Sequence, residues 1–443
     1  MKGNSSMSKC PTSYPPGPRL PPIFQTVLLG FFFNSVARWG HDRYGSAFTA
    51  FFAPPGDVPR PMVMSSDRED LRQVFSGPAS IFLAGENNST LKSIVGASSV
   101  LLLDGPQHTR IRKLIAPAFI GQSLRDYETE MAAIAESTVQ HWPIGQEFSA
   151  IERTQELTLD IIIRVIFGIE DQKHVATIKP AIKTLLSATP GAVLSIYYPK
   201  ARKLGFGRPF HQARIDLENY LTVKVSQCRA NPTVKPVDVC SRLVHTAVEG
   251  ERLSDTEVVD QLLTLLVAGH ETTATALAWA LHDLARQPEI QERARQAADE
   301  GDLDYLTATL LEVMRIHPPV TGIGRQLAEP VAVGKNYLHA GTRIAFAETV
   351  MHNDPKYHAC PHKFSPDRFI GDTPPPGDVY FPFGGGVRRC IGASFALAEG
   401  SRVLSAVLRR YRVTANLKPE KETTKFLTIT APSKGGQIRL NPR

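Results

Sequence analysis

Cys390 lies in a glycine-rich segment, FPFGGGVRRCIGASFALAEG, at residues 381–400. The segment predicts a tight loop that places this cysteine at the start of an amphipathic helix. The unpaired amides and positive potential of a helix N-terminus stabilise a thiolate, and glycines let backbone N–H groups point at the sulfur. Phe383 and Ile391 would shield the sulfur from water. Such a soft, shielded, anionic sulfur suits a haem iron that cleaves an oxygen–oxygen bond.

Two other interpretations of this loop stay open on the residues alone. A lone buried cysteine is often structural, and a glycine-rich turn before a helix often binds phosphate. GGGVRR does not fit the GxGxxG pattern, however, and no strand plainly precedes it. The other cysteines, Cys10, Cys228, Cys240 and Cys360, are widely spaced without a CxxC pair. Their spacing argues against a disulfide framework or a structural zinc site, and for a reducing compartment.

A second group of candidate residues is AGHETT, at residues 268–273, which interrupts an otherwise apolar stretch. Buried polar groups are costly unless they are used or hydrogen-bonded. An acid beside a hydroxyl, here Glu271 and Thr272, can relay protons to a ligand bound nearby. His270 and Glu271 also begin the HExxH pattern of zinc hydrolases, but the fifth position is Ala274. A third possibility is that the threonines only bond to carbonyls one turn earlier.

Two pairs of charged residues are spaced to share a helix face. Glu312 and Arg315 are three apart between apolar residues in LLEVMRI, and His108 and Arg112 are four apart. Exposed pairs of this kind are common and contribute little to stability. For both pairs, placement on the surface is therefore the open alternative.

The elements that must position these residues are mostly helices. One is predicted from Asp104 to before Pro117, and another from about Tyr305 to His317. Between them, Ser254 begins a capping box that opens a helix running toward Pro288. That helix would hold about thirty residues, span roughly 45 Å and be buried, because it is apolar nearly all round.

Short strands are expected at residues 48–52, at 60–64 and within 331–346. Long helical stretches with a few small sheets predict a mostly α protein of the α+β class. We expect one helix-rich domain over residues 1–443, with an extended, proline-rich segment at residues 1–21.

Composition narrows the class of protein further. Hydrophobic residues make up 42% of the chain and charged residues 21%, which is typical of a globular protein. The net charge of +7 comes without a basic run interleaved with aromatics, so nucleic acid is not an expected partner. No secretory signal is expected. Residues 23–33 predict an amphipathic helix too short to cross a bilayer, with weak contact to a membrane surface as the lesser alternative.

The chain resembles the cytochrome P450 family. Phe383, Gly386, Arg388, Cys390 and Gly392 match its signature FxxGxRxCxG at every defined position. By that resemblance Cys390 is the proximal ligand of the haem iron, and Arg388 pairs with a haem propionate. The family's fold is a helix-rich domain with small sheets and a long central helix on the distal side of the haem.

Other motifs of the family appear in the expected order. The segment from Ala268 to Thr272 resembles its distal AGxET motif, which implies that Glu271 and Thr272 deliver protons during oxygen activation. Glu312 and Arg315 resemble its ExxR pair, which is joined by an arginine, here Arg368. The resemblance also implies further haem contacts, for which the candidates are His108, Arg112, Arg325, Phe383, Gly384, Ala268 and Gly392.

The resemblance implies a haem-thiolate monooxygenase with haem b as its cofactor. It would be a soluble bacterial enzyme, most similar to actinobacterial members, and cytoplasmic. Since no flavin or iron–sulfur segment is fused to the chain, electrons from NAD(P)H would arrive through a ferredoxin reductase and a ferredoxin. Arg389 and the cluster Arg409, Arg410 and Arg412 would form the docking face. Haem-binding sensors or carriers and peroxide-dependent haem enzymes are the alternatives.

The expected substrate is a hydrophobic small molecule of the fatty acid, terpene or steroid class. The segments that would line its pocket, by family analogy, are largely apolar with scattered hydroxyls. They are residues 84–97, 187–196, 320–324 and 427–430. Lys92 could meet a substrate carboxylate, which the sequence leaves open.

Overall fold

Helices form most of the protein. The computed structural model describes residues 14–52, 59–187, 189–231, 237–371, 374–415, 418–425 and 429–443. Its α-helices are α1 (Pro22–Tyr44), α2 (Arg68–Ser76), α3 (Ala84–Asn87), α4 (Lys92–Val95), α5 (Gly105–Ile115), α6 (Gln122–Val139), α7 (Ala150–Ile161), α8 (Gln172–Leu186), α9 (Pro190–Tyr197), α10 (Pro199–Lys203), α11 (Arg208–Ala230), α12 (Val239–His245), α13 (Asp255–Leu284), α14 (Pro288–Glu300), α15 (Leu303–Ile316), α16 (Glu348–Met351) and α17 (Ala393–Arg410).

The strands are short and form small sheets. They are β1 (Ala47–Phe52), β2 (Arg60–Ser65), β3 (Phe82–Leu83), β4 (Glu147–Ser149), β5 (Ile323–Leu327), β6 (Val331–Val333), β7 (Asn336–Leu338), β8 (Arg343–Phe346), β9 (Tyr411–Thr414), β10 (Glu422–Lys425), β11 (Ile429–Pro432) and β12 (Gln437–Pro442). The largest sheet has the order β1-β2-β8-β5-β3, and its β2–β8 pair is parallel. The order β4-β12-β9 forms a second sheet, while β10–β11 and β6–β7 are antiparallel pairs.

Helix α13 is the central element of the fold. It begins with the predicted capping box, in which Ser254 Oγ accepts from Glu257 N and the Glu257 carboxylate accepts from Ser254 N. Its 30 residues pack against α7, α11, α15 and α17, and most of them are buried. The helix ends at Leu284, a few residues before the predicted limit, because the N–H groups of Arg286 and Gln287 turn back to Asp283 O and Leu284 O.

The other predicted elements are present with small shifts. Helices α5 and α15 begin and end within two residues of their predicted limits, and β1 and β2 match the two N-terminal strands. The region 331–346, where short strands were predicted, contains the three strands β6, β7 and β8. The mostly α, α+β prediction is confirmed. Within the described ranges, no helix combines the length and the apolarity needed to cross a bilayer.

A charged cluster ties α13, α15 and β10 together around His317. Its Nδ1 lies 3.0 Å from Glu422 Oε1, its Nε2 lies 3.4 Å from Asp283 Oδ2, and its ring stacks on Trp279 with centroids 3.8 Å apart. Burial alone would lower the pKa of His317, but the charges and hydrogen bonds of Asp283 and Glu422 raise it to about 9. His317 is therefore a cation at neutral pH.

This cluster predicts a loss of stability at alkaline pH. Because folding raises the pKa of His317 from 6.5 to about 9, its contribution is complete below the unfolded value and disappears as the pH rises through the folded value. The shift corresponds to about 3 kcal/mol of unfolding free energy. We expect urea melts of the wild type to weaken by that order between about pH 7 and about pH 10. His317→Gln should flatten this dependence; an equally steep profile in the variant would contradict the assignment.

Candidate active site

The cysteine loop is fixed by its own backbone and by one aromatic ring. Cys390 N donates to Phe383 O at 2.8 Å, and α17 begins directly after Gly392. Gly386 has φ +62°, and a Cβ there would lie 2.0 Å from Phe75 O. A Cβ at Gly385 would lie 2.4 Å from the Phe75 ring. These glycines are therefore required because the loop passes directly over Phe75.

The thiol of Cys390 is accessible from one side, yet protein surrounds the sulfur densely enough to perturb it. Burial raises the pKa of the Cys390 thiol, while the backbone N–H of Gly392 and the charges of Arg112 and Arg389 lower it. Burial of the thiol therefore opposes the thiolate that the helix N-terminus was expected to favour, while the Gly392 N–H acts in the expected direction. Coordination of a metal ion deprotonates a thiol outright, so this side chain suits a metal ligand better than a free nucleophile.

Basic side chains predicted for the haem propionates come together beside this loop. Arg388 is paired with Asp104 and donates to Leu103 O and to Val100 O. His108 is buried, and burial together with the charges of Arg388, Arg112 and Arg325 lowers its pKa to about 4. Its imidazole is consequently neutral at physiological pH and can donate a hydrogen bond without adding a charge.

Arg325 is the most unusual member of this basic group. Its side chain is buried, its Nη1 donates only to the adjacent Gly324 O, and its guanidinium lies 5.1 Å from the centroid of the Phe75 ring. In the part of the chain that the structure describes, no carboxylate lies within ion-pair distance of it. Burial and the charge of Arg388 lower the pKa of Arg325 to about 10. A buried cation of this kind is stabilised by a bound anion.

Arg112 lies closer to Cys390 than its predicted role in binding a propionate requires. Its Nη2 donates to Arg389 O at 2.6 Å, and its charge acts on the Cys390 thiol. This position still allows it to reach an anionic group, but it also adds positive potential beside the sulfur.

One stripe of α13 is left uncovered by other parts of the protein. Ala268 is exposed, and Leu265, Gly269 and Thr272 are partly exposed, whereas most other residues of the helix are buried. These positions follow the i, i+3, i+4, i+7 pattern and so share one face. Thr272 Oγ1 donates to Ala268 O at 2.7 Å. This is the back-bond that sequence reasoning left open, and it holds the hydroxyl on the uncovered stripe.

Glu271 has a partner that sequence reasoning missed. Gln155 Nε2, on α7, lies 2.9 and 2.8 Å from the two carboxylate oxygens of Glu271, and Gln155 O is 2.9 Å from His270 Nε2. Because His270 Nε2 is used in this contact, the zinc-hydrolase interpretation gains no support. Gln155 lies over 100 positions away in a helix without a motif, so no spacing signal could have identified it.

The predicted ExxR network lies in the core behind the site. Glu312 and Arg315 are fully buried and joined by two contacts, of 2.7 and 2.9 Å. Arg368 Nε lies 3.5 Å from Glu312 Oε2. Arg315 also donates to His352 O and Pro361 O. The network thus ties α15 to the chain that leads into the cysteine loop.

These residues together fit a haem. Cys390 supplies a soft ligand, and a Cβ added at Gly392 would meet no protein atom within 4 Å. Arg325 lacks a described carboxylate partner and His108 is a neutral donor, so the pair suits the two propionate groups of a haem. Phe75 contacts both the glycine loop and Arg325, a second reason for the glycines of the loop that the sequence analysis did not identify.

Comparison with known proteins gives the same family. A family model described as Cytochrome P450 matches residues 15–440. The chain is similar to the protein named cytochrome P450 135A1 of Mycobacterium tuberculosis, at 36% identity over 436 residues, covering 98% of this chain and 96% of that one. It is 34% identical over 406 residues to cytochrome P450 137 of the same species, covering 90% and 84%. The retinoic acid-bound cyanobacterial CYP120A1 has the same fold, with a TM-score of 0.84 at 24% identity, covering 98% and 100%.

The similarity extends over nearly all of the chain and is not confined to one motif. The similarity supports haem b as the cofactor, NAD(P)H as the ultimate electron source through redox partners, and monooxygenase activity. Those predictions are therefore confirmed. The fold, the thiol loop and the sequence comparison agree: this chain is a member of the cytochrome P450 family.

Proposed function

We propose that this enzyme inserts one oxygen atom of O2 into a C–H bond of a hydrophobic small molecule, of the fatty acid, terpene or steroid class. The observation that best supports this proposal is the acid–alcohol pair on α13. Thr272 lies on the uncovered stripe, and the carboxylate of the adjacent Glu271 accepts hydrogen bonds from Gln155. Haem sensors and carriers need no proton relay, and a peroxide brings its own protons. The pair therefore favours O2-dependent turnover.

In this proposal Cys390 is the iron ligand, and His108, Arg112, Arg325 and Arg388 hold the propionates. When bound, the haem supplies reductive activation of O2, with electron donation from the thiolate. The residues proposed to lie against the macrocycle are Phe383, Gly384, Gly392 and Ala268.

The protein's own part in oxygen activation is to position protons. The hydroxyl of Thr272 donates to Ala268 O, so its oxygen can accept a further hydrogen bond on the open face. The Glu271 carboxylate is mostly buried, and Gln155 fixes both of its oxygens. We expect Glu271 to pass protons to the neighbourhood of Thr272, with Gln155 as the residue that positions the acid.

Two of the candidate pocket segments meet in space. Val320 forms a β-bridge with Ile429, and Thr430 N donates to Pro319 O at 2.9 Å. Residues 427 and 428 of the fourth segment, and residue 188 of the second, lie outside the described residues. Glu348 is buried and accepts from Gly322 N and Ile323 N at 2.8 and 2.9 Å, which fixes the turn at residues 320–324.

The substrate proposal can be tested with the haem-loaded protein and a panel of lauric acid, geraniol and progesterone as probes. We expect at least one probe to perturb the haem absorption and to gain one labelled oxygen atom under isotopically labelled O2, with reduced ferredoxin present. Binding of polar sugars or amino acids instead, with no change on any apolar probe, would contradict the proposed substrate class.

The proton relay can be tested in the same assay. Glu271→Gln removes the proton donor and should lower turnover about 100-fold, while haem content stays unchanged. Gln155→Ala removes only the side-chain amide that positions the carboxylate, so it should lower turnover less and enlarge the solvent isotope effect. Glu300→Gln, at an exposed position on α14, is the control. Unaltered turnover in Glu271→Gln would remove this residue from the mechanism.

We propose a ferredoxin as the direct electron donor, docking around Arg389. The docking face predicted from the sequence included residues far from the cysteine, because Arg409 and Arg410 lie at the far end of α17, about 25 Å along its axis from Ala393. Arg410 and Arg409 also contact Glu136, at 2.7 and 3.5 Å. Arg389, which is exposed and adjacent to Cys390, remains as the candidate docking residue. We also propose a cytoplasmic location, which the wide spacing of the cysteines supports because it is typical of a reducing compartment.

Charge reversal tests this docking face. Arg389→Glu should slow reduction by an acidic ferredoxin roughly tenfold at low salt, and the difference should shrink as salt screens the charges. Arg412→Glu, at an exposed position in β9 just beyond the distant end of α17, is the matched control. Reduction rates that are equal in wild type and Arg389→Glu at low salt would rule out docking at this position.

A further inference from the structure

Glu348, on α16, is a buried carboxyl group that holds two backbone amides. Its side chain has no exposed surface, and its two oxygens accept separately from Gly322 N at 2.8 Å and from Ile323 N at 2.9 Å. Among the described residues, no cation forms an ion pair with Glu348. A buried charge without a counter-charge is costly, so a carboxylate is an expensive group with which to fix a turn.

Burial brings the ionisation of this carboxyl group into the neutral range. Desolvation raises the pKa of Glu348 from 4.5 to about 7, although the N–H groups of Ile323 and Gly322 act in the opposite direction. A glutamate with an ordinary pKa would be almost fully ionised at neutral pH. Near neutral pH, both the ionised and the protonated form of Glu348 are therefore populated.

Neighbouring charges do not account for this behaviour. The segments around α16 carry several charged or histidine side chains, and none of them contributes to the pKa of Glu348. These side chains are Arg38, His41, Asp42 and Arg43 on α1, Arg60 on β2, Arg325 on β5, Arg343 on β8, and His352 directly after α16. Within the described ranges, backbone amides are the groups that favour ionisation of Glu348.

The hydrogen bonds of the turn require the ionised form. A carboxylate oxygen accepts hydrogen bonds, whereas the protonated oxygen of a carboxylic acid carries a donor. Because each oxygen of Glu348 faces one N–H group, protonation sets a donor against Gly322 N or Ile323 N and breaks that bond. We call the two bonds together the Glu348 clamp. The turn therefore has a clamped form with two bonds and a looser form with one.

The clamped turn lies between the candidate pocket and the cysteine loop. At one end, Val320 forms a β-bridge with Ile429, which belongs to another pocket segment. At the other end, the side chain of Ile323 lies beside the cysteine loop, since a Cβ added at Gly384 would be 3.8 Å from Ile323 Cδ1. Arg325, a candidate for the haem propionates, follows two residues later. A shift of the turn would therefore alter the pocket and the haem site together.

We propose that Glu348 is a positioning residue of the pocket: its ionised carboxylate holds residues 320–324 in the shape that binds substrate, and protonation releases them. Substrate affinity then falls as the pH drops through neutrality. This inference rests on the proposed function, because it takes residues 320–324 as part of the pocket. The Glu348 clamp itself is a property of the folded chain and can be measured without substrate.

Hydrogen exchange of the turn tests the clamp directly, on the haem-loaded protein without substrate. After correction for the intrinsic effect of pH, the amides of Gly322 and Ile323 in wild type should exchange about tenfold faster at about pH 5.5 than at about pH 8.5. The transition should be centred near the Glu348 pKa of about 7. Mass spectrometry of peptides that span this turn, with fragmentation to single amides, gives these rates.

Two variants separate Glu348 from a general effect of pH. Glu348→Gln presents one acceptor and one donor, as the protonated acid does, so its turn should exchange fast at both pH values. Glu399→Gln is the matched control, because Glu399 is also buried and burial raises its pKa to about 8, but it lies on α17. The control should keep the wild-type profile. Melting temperature and haem absorption verify folding.

A flat exchange profile in wild type would overturn the proposal. A transition that survives in Glu348→Gln, or one that disappears in Glu399→Gln, would overturn it as well. If Glu348→Gln does not fold, the other two profiles still decide, since the transition must be present in both.

Binding of neutral probes shows whether the clamp positions substrate. Geraniol and progesterone carry no group that titrates between about pH 5.5 and about pH 8.5, so a pH dependence of binding belongs to the protein. In wild type, the dissociation constant read from haem absorption should rise about three- to tenfold from the higher to the lower pH, and in Glu348→Gln it should be high at both. A constant that does not change with pH in wild type would overturn the positioning role. If neither probe binds, the proposed substrate class fails, while the exchange profile still decides whether Glu348 clamps the turn.

Discussion

Arg315→Ala should lower the free energy of unfolding by about 3–5 kcal/mol, the effect of removing one partner of a buried ion pair. Arg315 has no exposed surface, and its loss leaves the fully buried Glu312 with Ser365 N at 2.9 Å and the more distant Arg368 at 3.5 Å. His352 O and Pro361 O lose their donors as well. Urea unfolding followed by circular dichroism, on protein of matched haem content, measures the change.

The chain contains its own control for this prediction. Glu292 and Arg295 also form an ExxR pair three residues apart, but they lie on the exposed face of α14. Solvent screens such a pair, so Arg295→Ala should change stability little. Arg315→Lys, which keeps the charge but loses the planar fork, should recover only part of the loss. Equal destabilisation by Arg315→Ala and Arg295→Ala would contradict the structural role given to the buried network.

Much of this site could be predicted because its motifs are local. The capping box at Ser254 and Glu257 marked the start of α13, and the spacing of Glu312 and Arg315 required one helix face. The signature around Cys390 identified the loop, since its glycines are needed wherever the backbone passes close to Phe75. In each case the physical reason lies within a few residues of the motif.

The features that could not be predicted depend on distant contacts. Strand β5 carries buried Arg325 and Gln326, so it shows no apolar alternation, and it exists because it pairs with β8. The hydrogen bonds from Gln155 to Glu271 join two helices that are more than 100 residues apart in the sequence. The large apolar side chains in the first half of α1 stay exposed because Gln25 is buried instead, where its side chain satisfies backbone groups in another part of the fold.

Desolvation is the other quantity that the sequence did not reveal. A helix N-terminus should favour a thiolate at Cys390, yet burial in the folded chain raises the pKa of the thiol. The same effect keeps His108 neutral and lowers the pKa of Arg325 to about 10. Each of these shifts depends on how closely several separate segments pack around one side chain, which no local pattern records.

Replacing the proposed iron ligand, Cys390, has the largest expected effect on enzyme activity. Cys390→Ser replaces a soft sulfur by a hydroxyl, a poor ligand for iron, at the one thiol that the loop presents beside the basic group. Monooxygenase turnover should then fall below detection, while α17 and the ExxR network stay folded because they do not depend on the sulfur. Cys360→Ser, at an exposed cysteine outside the site, is the control and should behave as wild type.

The most direct measurement is the absorption spectrum of the dithionite-reduced, carbon monoxide-bound protein, recorded for wild type and for Cys390→Ser. We expect a strongly red-shifted Soret band in the wild type, because an anionic sulfur ligand would donate electron density to the iron. The band should lose that shift in Cys390→Ser and keep it in Cys360→Ser. An unshifted band in the wild type, or a shifted band that survives in Cys390→Ser, would contradict thiolate ligation by Cys390.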